Sequence, residues 1–157
     1  MAQKILIAMD ESENSARAVE FVGNCLKTDA DISLFSVLLN TETMCAMQGP
    51  ALTPYFTAEQ TSFCALEDKK KEVVKEALEK ARQKLIQHGF DEKRIKTKIV
   101  ERKKGIARDI IAEANSGGFD LVVMGRRGLS GIMEFIMGSI SQKVLHGVDK
   151  ASVLLVD

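Results

Sequence analysis

Between Met124 and Gln142 the chain reads MGRRGLSGIMEFIMGSISQ, with Gly125, Gly128, Gly131 and Gly138 gathered around one turn-and-helix boundary and serines at 139 and 141. Glycine weakens helices and strands by roughly 0.5–1 kcal/mol relative to alanine, so such a cluster needs a reason. Either the backbone turns sharply here or something comes very close to it. The first turn of a helix leaves N–H groups unpaired and carries a partial positive charge. A glycine at 138 puts no side chain in front of those groups, an arrangement that takes phosphate in several unrelated folds. Ser139 and Gln142 have the S-x-x-Q spacing of a capping box, which makes Ser139 the expected N-cap. Ser139 and Ser141 add hydroxyl donors. Arg126 and Arg127 could clamp phosphate oxygens, or be two solvated loop arginines.

Asp10 closes the first apolar run and is the second candidate. A carboxylate accepts hydrogen bonds from ribose hydroxyls, but it faces phosphate only through a divalent cation. With Glu13 three residues on, Asp10 also reads as an N-cap of the first helix, and one residue can serve both purposes.

Other chemistries find little support. His88 and His146 each stand just before a glycine at a helix end, where a cation is favoured, so capping explains them better than proton transfer. There is no H-x-x-x-H, and Ser130, Ser139 and Ser141 have no local histidine base. Nothing in the chain identifies a water-activating base, Asp10 and Glu134 being only weak candidates, so hydrolysis is expected to be weak at most and no catalytic residue is assigned. The chain has no GxxxxGK[ST], and no GxGxxG follows its first strand. Lys103 and Lys104 read as a solvated charge run. Acids and bases cancel at 22 each, so no global field favours nucleic acid or an anionic membrane. Cys25, Cys45 and Cys64 are odd in number and form no CxxC, which favours reduced, partly buried thiols, although Cys45 and Cys64 border one loop and could pair under oxidation. No apolar run is long enough to span a membrane, and the N-terminal segment turns acidic too soon for a secretory signal. The expected compartment is the cytoplasm.

The elements that must position these residues follow from periodicity. KILIAM (4–9) reads as a buried strand, and residues 11–27 as a helix with Ala16, Val19, Val22 and Leu26 inward. DISLFSVLL (31–39) is a second strand. Residues 40–62 hold both prolines and show no period, so they read as a long loop. A helix from about Ser62 to Gln87 carries a stripe of Leu66, Val73, Ala77, Ala81 and Leu85. A strand at 95–100, a helix at 105–115 with Ile106, Ile110, Ile111 and Ala114 inward, and a strand at 119–125 follow. A helix from Ser139 to His146 and a strand at 152–156 complete the order. Strands alternating with helices in 157 residues predict one α/β domain, a doubly wound, Rossmann-like, five-stranded parallel sheet covered on both faces. In such sheets ligands sit beyond the carboxyl ends of the strands, where strand order reverses. Asp10, the 37–40 segment and Gly125 onward lie at such ends.

The spacing G125-x2-G128-x9-G138-S139 resembles the signature of the universal stress proteins, in the subset that binds ATP. The resemblance spans nearly the whole chain: KILIAMDESENSARAVEFV is similar to that family's first strand and helix, and VLLV to its last strand. It implies that ATP or another adenine nucleotide binds, with Mg²⁺ or Mn²⁺ at the phosphates. Val37 would then hold adenine, Asp10 would lie near the ribose or a metal, and Met124 and Gly125 would flank the ribose. Gly128 would lie close to the phosphates, with Arg127 beside it, and Gly138, Ser139 and Ile140 would face them. Ala8 joins this set; it stands where the family often has proline, as Lys150-Ala151-Ser152 replaces a common proline before the last strand. The implied role is a stress-response sensor or switch, with the 40–62 loop as reporter and a homodimer formed through 152–156. The alternatives are a dimeric interaction module with an empty site, or a slow ATPase that needs a partner.

Overall fold

The structure, a computed structural model, describes residues 1–38, 45, 54–127 and 138–157, and the side chains of 54–59 stand outside that description. Its strands are β1 (Lys4–Ala8), β2 (Asp31–Leu38), β3 (Ile95–Glu101), β4 (Leu121–Gly125) and β5 (Ser152–Val156). The described helices are α1 (Glu13–Cys25), α2 (Pro54–Gln87), α3 (Ile106–Ser116) and α4 (Ser139–Gly147), with a 3₁₀ turn at Glu92–Arg94.

The five strands are all parallel, in the order β3-β2-β1-β4-β5. Alternation along β1 builds the two layers. Ile5 and Ile7 point into a core shared with Val19 and Val22 of α1 and Val74, Leu78 and Leu85 of α2. Leu6 and Ala8 point into the opposite core, with Ala107, Ile110 and Ala114 of α3 and Val144 of α4. Both faces of the central strands are therefore apolar, which is why β1 and β4 read as unbroken apolar runs. The chain winds from β1 outward to β2 and β3, then from β4 outward to β5. The switch point lies between β1 and β4, where Ala8 pairs with Met124.

Several local expectations need correction. The second helix begins at Pro54, not near Ser62, so the last third of the expected 40–62 loop is helical. Proline suits that position because a first-turn residue has no intrahelical partner for its N–H. The stripe of α2 holds at Ala81 and Leu85 and differs in its N-terminal half. Val74, Leu78, Ala81 and Leu85 are buried, whereas Leu66 is 66% exposed and Val73 40%. In α1, Ala18 takes the core position expected of Ala16, which is exposed. In α3, Ala107, Ile110 and Ala114 are buried and Ile111 packs against the same core as expected, whereas Ile106 is 38% exposed. Cys45 and Cys64 form a disulfide, with Cα atoms 5.9 Å apart across 19 residues of chain, so two of the three expected thiols are paired. Cys25 is free and exposed rather than partly buried. Residues 40–44 and 46–53 of the expected reporter loop lie outside the described residues.

Candidate functional site

A cleft of ≈280 Å³ opens at the carboxyl ends of β1 and β4, toward the lower end of small-ligand cavities. β1 and the turn after it supply Ala8 and Asp10, and β2 supplies Val37. Met124 and Gly125 come from β4, Arg127 from the chain just beyond it, and Gly138, Ser139 and Ile140 from the start of α4. Nine of the ten residues singled out from sequence thus line one space, drawn from segments more than a hundred residues apart. The tenth, Gly128, lies outside the described residues.

The lining divides by chemistry. Ala8, Phe35, Ile110 and Met124 are buried and make an apolar floor continuous with the core. Asp10, Glu11, Lys70, Arg127 and Ser139 line it with polar or charged groups. Such a cleft suits a ligand with a flat apolar body and a charged, hydroxyl-bearing end. Lys70 reaches it from α2, and nothing in the sequence singled it out. Its position follows only from where α2 crosses the sheet.

Asp10 does two things at once. Its Oδ1 accepts hydrogen bonds from the Ser12 backbone N–H (2.8 Å) and the Ser15 hydroxyl (2.9 Å). Its own N–H donates to Ser15 Oγ at 3.0 Å. The N-cap of α1 is Ser12, whose side chain accepts from the Ser15 N–H, so Asp10 braces the cap and is not the cap itself. Oδ2 accepts nothing from the described residues, which leaves half of the carboxylate for a ligand.

The glycine boundary is built differently from the capping-box expectation. Gly138 is the N-cap of α4, with extended backbone angles and no side-chain cap, and its carbonyl accepts from the Gln142 N–H at 3.0 Å. Ser139 is the first helical residue and is exposed. The Ser141 hydroxyl is buried and donates to the Gly125 carbonyl at 3.0 Å, so it ties α4 to β4 instead of facing the cleft as a spare donor. Gly125 has a packing reason of its own: a Cβ there would stand 2.9 Å from Asn14 Cβ and 3.0 Å from Asn14 C. At Gly138 a Cβ would lie 3.3 Å from the Arg126 carbonyl oxygen and 3.6 Å from Arg127 Cα. The first glycine lets α1 approach the end of β4; the second lets the 126–127 segment close over the start of α4.

Arg126 and Arg127 are engaged within the chain. Asp157 bonds Arg126 through Oδ2 at 2.9 Å and Arg127 through Oδ1 at 3.2 Å. The two guanidinium groups hold the Asp157 carboxyl below the usual carboxylate range. No spacing along the chain pointed to this triad, whose carboxylate lies some thirty residues beyond the two adjacent arginines. The His88 ring packs against Gly23, and its Nε2 lies 3.3 Å from Glu20 Oε1. The N–H groups of Lys103 and Lys104 donate to the Asp109 carboxylate, which steadies the turn into α3. Among the described residues no three His, Cys, Asp or Glu side chains cluster as metal ligands, and no helix is long and apolar enough to cross a membrane.

A larger cleft of ≈480 Å³ lies between α1 and α2, and it shares Met9, Asp10 and Glu11 with the first. It is lined largely by helix side chains, and its charged rim is partly self-compensated, as Lys84 pairs with Glu20 at 3.3 Å. The cleft at the switch point is the better candidate, because convergent backbone and polar groups meet an apolar floor there.

A five-stranded, doubly wound parallel sheet with a glycine-framed cleft at its switch point defines the class of α/β fold. The model of the universal stress protein family matches residues 1–157, and the chain belongs to that family. It is 30% identical to universal stress protein YxiE of Bacillus subtilis over 146 residues, 92% of each chain. Among solved structures it resembles the protein MJ0577, with a TM-score of 0.69 and 26% identity, over 99% of this chain and 96% of that one. A universal stress protein solved in complex with cAMP has a TM-score of 0.61 and 20% identity, over 99% of this chain and 96% of that one.

Proposed function

We propose that this protein binds an adenine nucleotide, ATP foremost, in the switch-point cleft and acts as a nucleotide-dependent switch in stress response. The observation that carries the reading is the meeting of an apolar floor with the open N-terminus of α4 behind Gly138. Adenine suits the floor near Val37, and ribose hydroxyls suit the unengaged Oδ2 of Asp10. The phosphates suit the first-turn N–H groups of Ser139 and Ile140, with Met124, Gly125, Arg127 and Gly128 along the ribose and phosphate edge. Ala8 completes the floor. The cAMP complex of a family member is consistent with an adenine ligand.

Asp10 and Glu11 are the carboxylates lining the cleft. An accompanying Mg²⁺ or Mn²⁺ would take one carboxylate from the chain and its remaining oxygens from phosphate and water, the usual pattern for magnesium. The cytoplasm is the compartment this reading requires. Calorimetric titration of ATP, ADP, AMP and cAMP into protein stripped by denaturation and refolding tests it. Saturable binding is expected for ATP, and no heat at millimolar nucleotide would refute the reading.

The two sheet edges favour a homodimer as the working unit. β3 carries exposed Lys96 and Lys98, which discourage strand pairing, whereas β5 reads SVLLV and is half-buried along its apolar residues. Pairing of two β5 strands about a two-fold axis would bury them.

A further inference from the structure

Arg127 belongs to two structures at once. It lines the cleft, and its Cα lies 3.6 Å from where a Cβ on Gly138 would stand, so it abuts the start of α4. Its guanidinium is also bonded to Asp157, and the same carboxylate holds Arg126. The backbone fixes this triad: the Arg126 N–H donates to the Val156 carbonyl at 2.7 Å, continuing the β4–β5 pairing by one residue and delivering Asp157 beside both arginines. Asp157 is 62% exposed at its side chain, against 29% for Arg126 and 23% for Arg127, so the carboxylate is the member free to leave.

Resting on the nucleotide reading above, we propose that Asp157 is an internal competitor for the phosphate chain, occupying Arg127 at the cleft until a polyphosphate displaces it. A guanidinium satisfies carboxylate and phosphate with the same planar fork, so one geometry serves both partners. An exposed carboxylate pairs weakly in water. A phosphate chain carries more charge and also meets the N-terminal field of α4, so it wins the exchange. Asp157 thereby lowers affinity for ligands with phosphates and leaves the nucleoside portion alone. The exchange also frees the residue that follows β5, on the edge proposed to dimerise.

The test is titration of ATP and of adenosine into the wild type, Asp157→Asn, Arg127→Gln and the double variant. Asp157→Asn should tighten ATP by about two- to fivefold while adenosine changes less than about twofold, the size expected of an exposed pair. In the Arg127→Gln background the same substitution should give no gain, which separates exchange at Arg127 from a general change in charge. Weaker or unchanged ATP binding in Asp157→Asn would overturn the proposal while leaving the nucleotide reading intact. An equal gain without Arg127 would also overturn it. A wild type that binds no ATP would sink both readings together.

Discussion

Replacing Gly125 with alanine puts the packing at the end of β4 to a test whose sign is informative. The added Cβ would stand 2.9 Å from Asn14 Cβ, 3.0 Å from Asn14 C and 3.1 Å from Asn14 O. Carbon atoms prefer 3.5–4.0 Å, so the overlap is roughly half an ångström to one ångström, and two of the three atoms are backbone. Asn14 lies in the first turn of α1, held in place by the Ser12 cap, the Asp10 brace and the buried Ala18, Val19 and Val22. The helix cannot withdraw without disturbing that core, so overpacking should cost about 1–3 kcal/mol. For a chain of this size, each kcal/mol lowers the melting temperature by roughly 2–4 °C. Urea unfolding and a thermal melt would measure both. Alanine in place of glycine at an unstrained, open position would instead stabilise by about 0.4–1 kcal/mol. A variant as stable as the wild type, or more stable, would refute the close approach. Gly147→Ala is a useful comparison, because its Cβ would meet only side-chain atoms, Cδ1, Cγ1 and Cγ2 of Ile111, which can shift more readily than backbone. Its loss should be the smaller of the two.

Further outcomes can be checked separately. Gly138→Val sets a branched side chain before the α4 N-terminus and against the Arg126 carbonyl, so the melting temperature should drop and ATP binding to the folded variant should fall more than tenfold; equal affinity in calorimetry would exclude phosphate from that point. Leu154→Lys places a charge on the β5 edge and should yield monomer by sedimentation, whereas a persistent dimer would move the interface elsewhere. A thiol reagent should titrate one cysteine in the native, non-reduced protein and three after reduction and unfolding, matching free Cys25 and the Cys45–Cys64 bond. Reduction should also destabilise the fold by ~3 kcal/mol from loop closure, and three reactive thiols at the outset would refute the pairing. Burial pushes the Asp109 carboxyl up, but the N–H groups of Lys103, Lys104 and Gly105 outweigh it and hold the folded value below the ordinary one. The contribution of Asp109 is therefore complete above its unfolded value and lost as pH falls through the lower folded value. Asp109→Asn should flatten that part of the acid-unfolding curve; an unchanged curve would mean that these bonds add no pH-dependent stability.

The layer architecture was legible because both faces of β1 and β4 are covered, and burial on two sides leaves uninterrupted apolar runs such as KILIA and LVVMG. Periodicity was less certain where a helix offers two apolar stripes. In α2, Val73 and Val74 stand side by side, and only the packing of Val74 and Leu78 against β1 and β2 decides which faces inward. The Ser139 capping box is a local pattern that lost to a tertiary contact: Ser141 bonds Gly125, and the helix starts one residue earlier than that pattern requires. Nine of the ten residues picked from sequence line one cleft because its backbone parts sit at strand ends and at a glycine-framed helix start. Lys70 and Asp157 were missed, since the crossing of α2 and the meeting of β4 with β5 bring them to the site, and no spacing along the chain encodes either.

The central claim, an adenine nucleotide seated against the start of α4, is most directly tested by titrating ATP into ¹⁵N-labelled protein and following individual amide resonances. Large, saturable shifts at Ser139 and Ile140, with smaller ones at Asp10 and Val37, are the predicted result. Shifts confined to the α1–α2 groove, around Ala16 and Lys80, or no shifts at millimolar ATP, would contradict it.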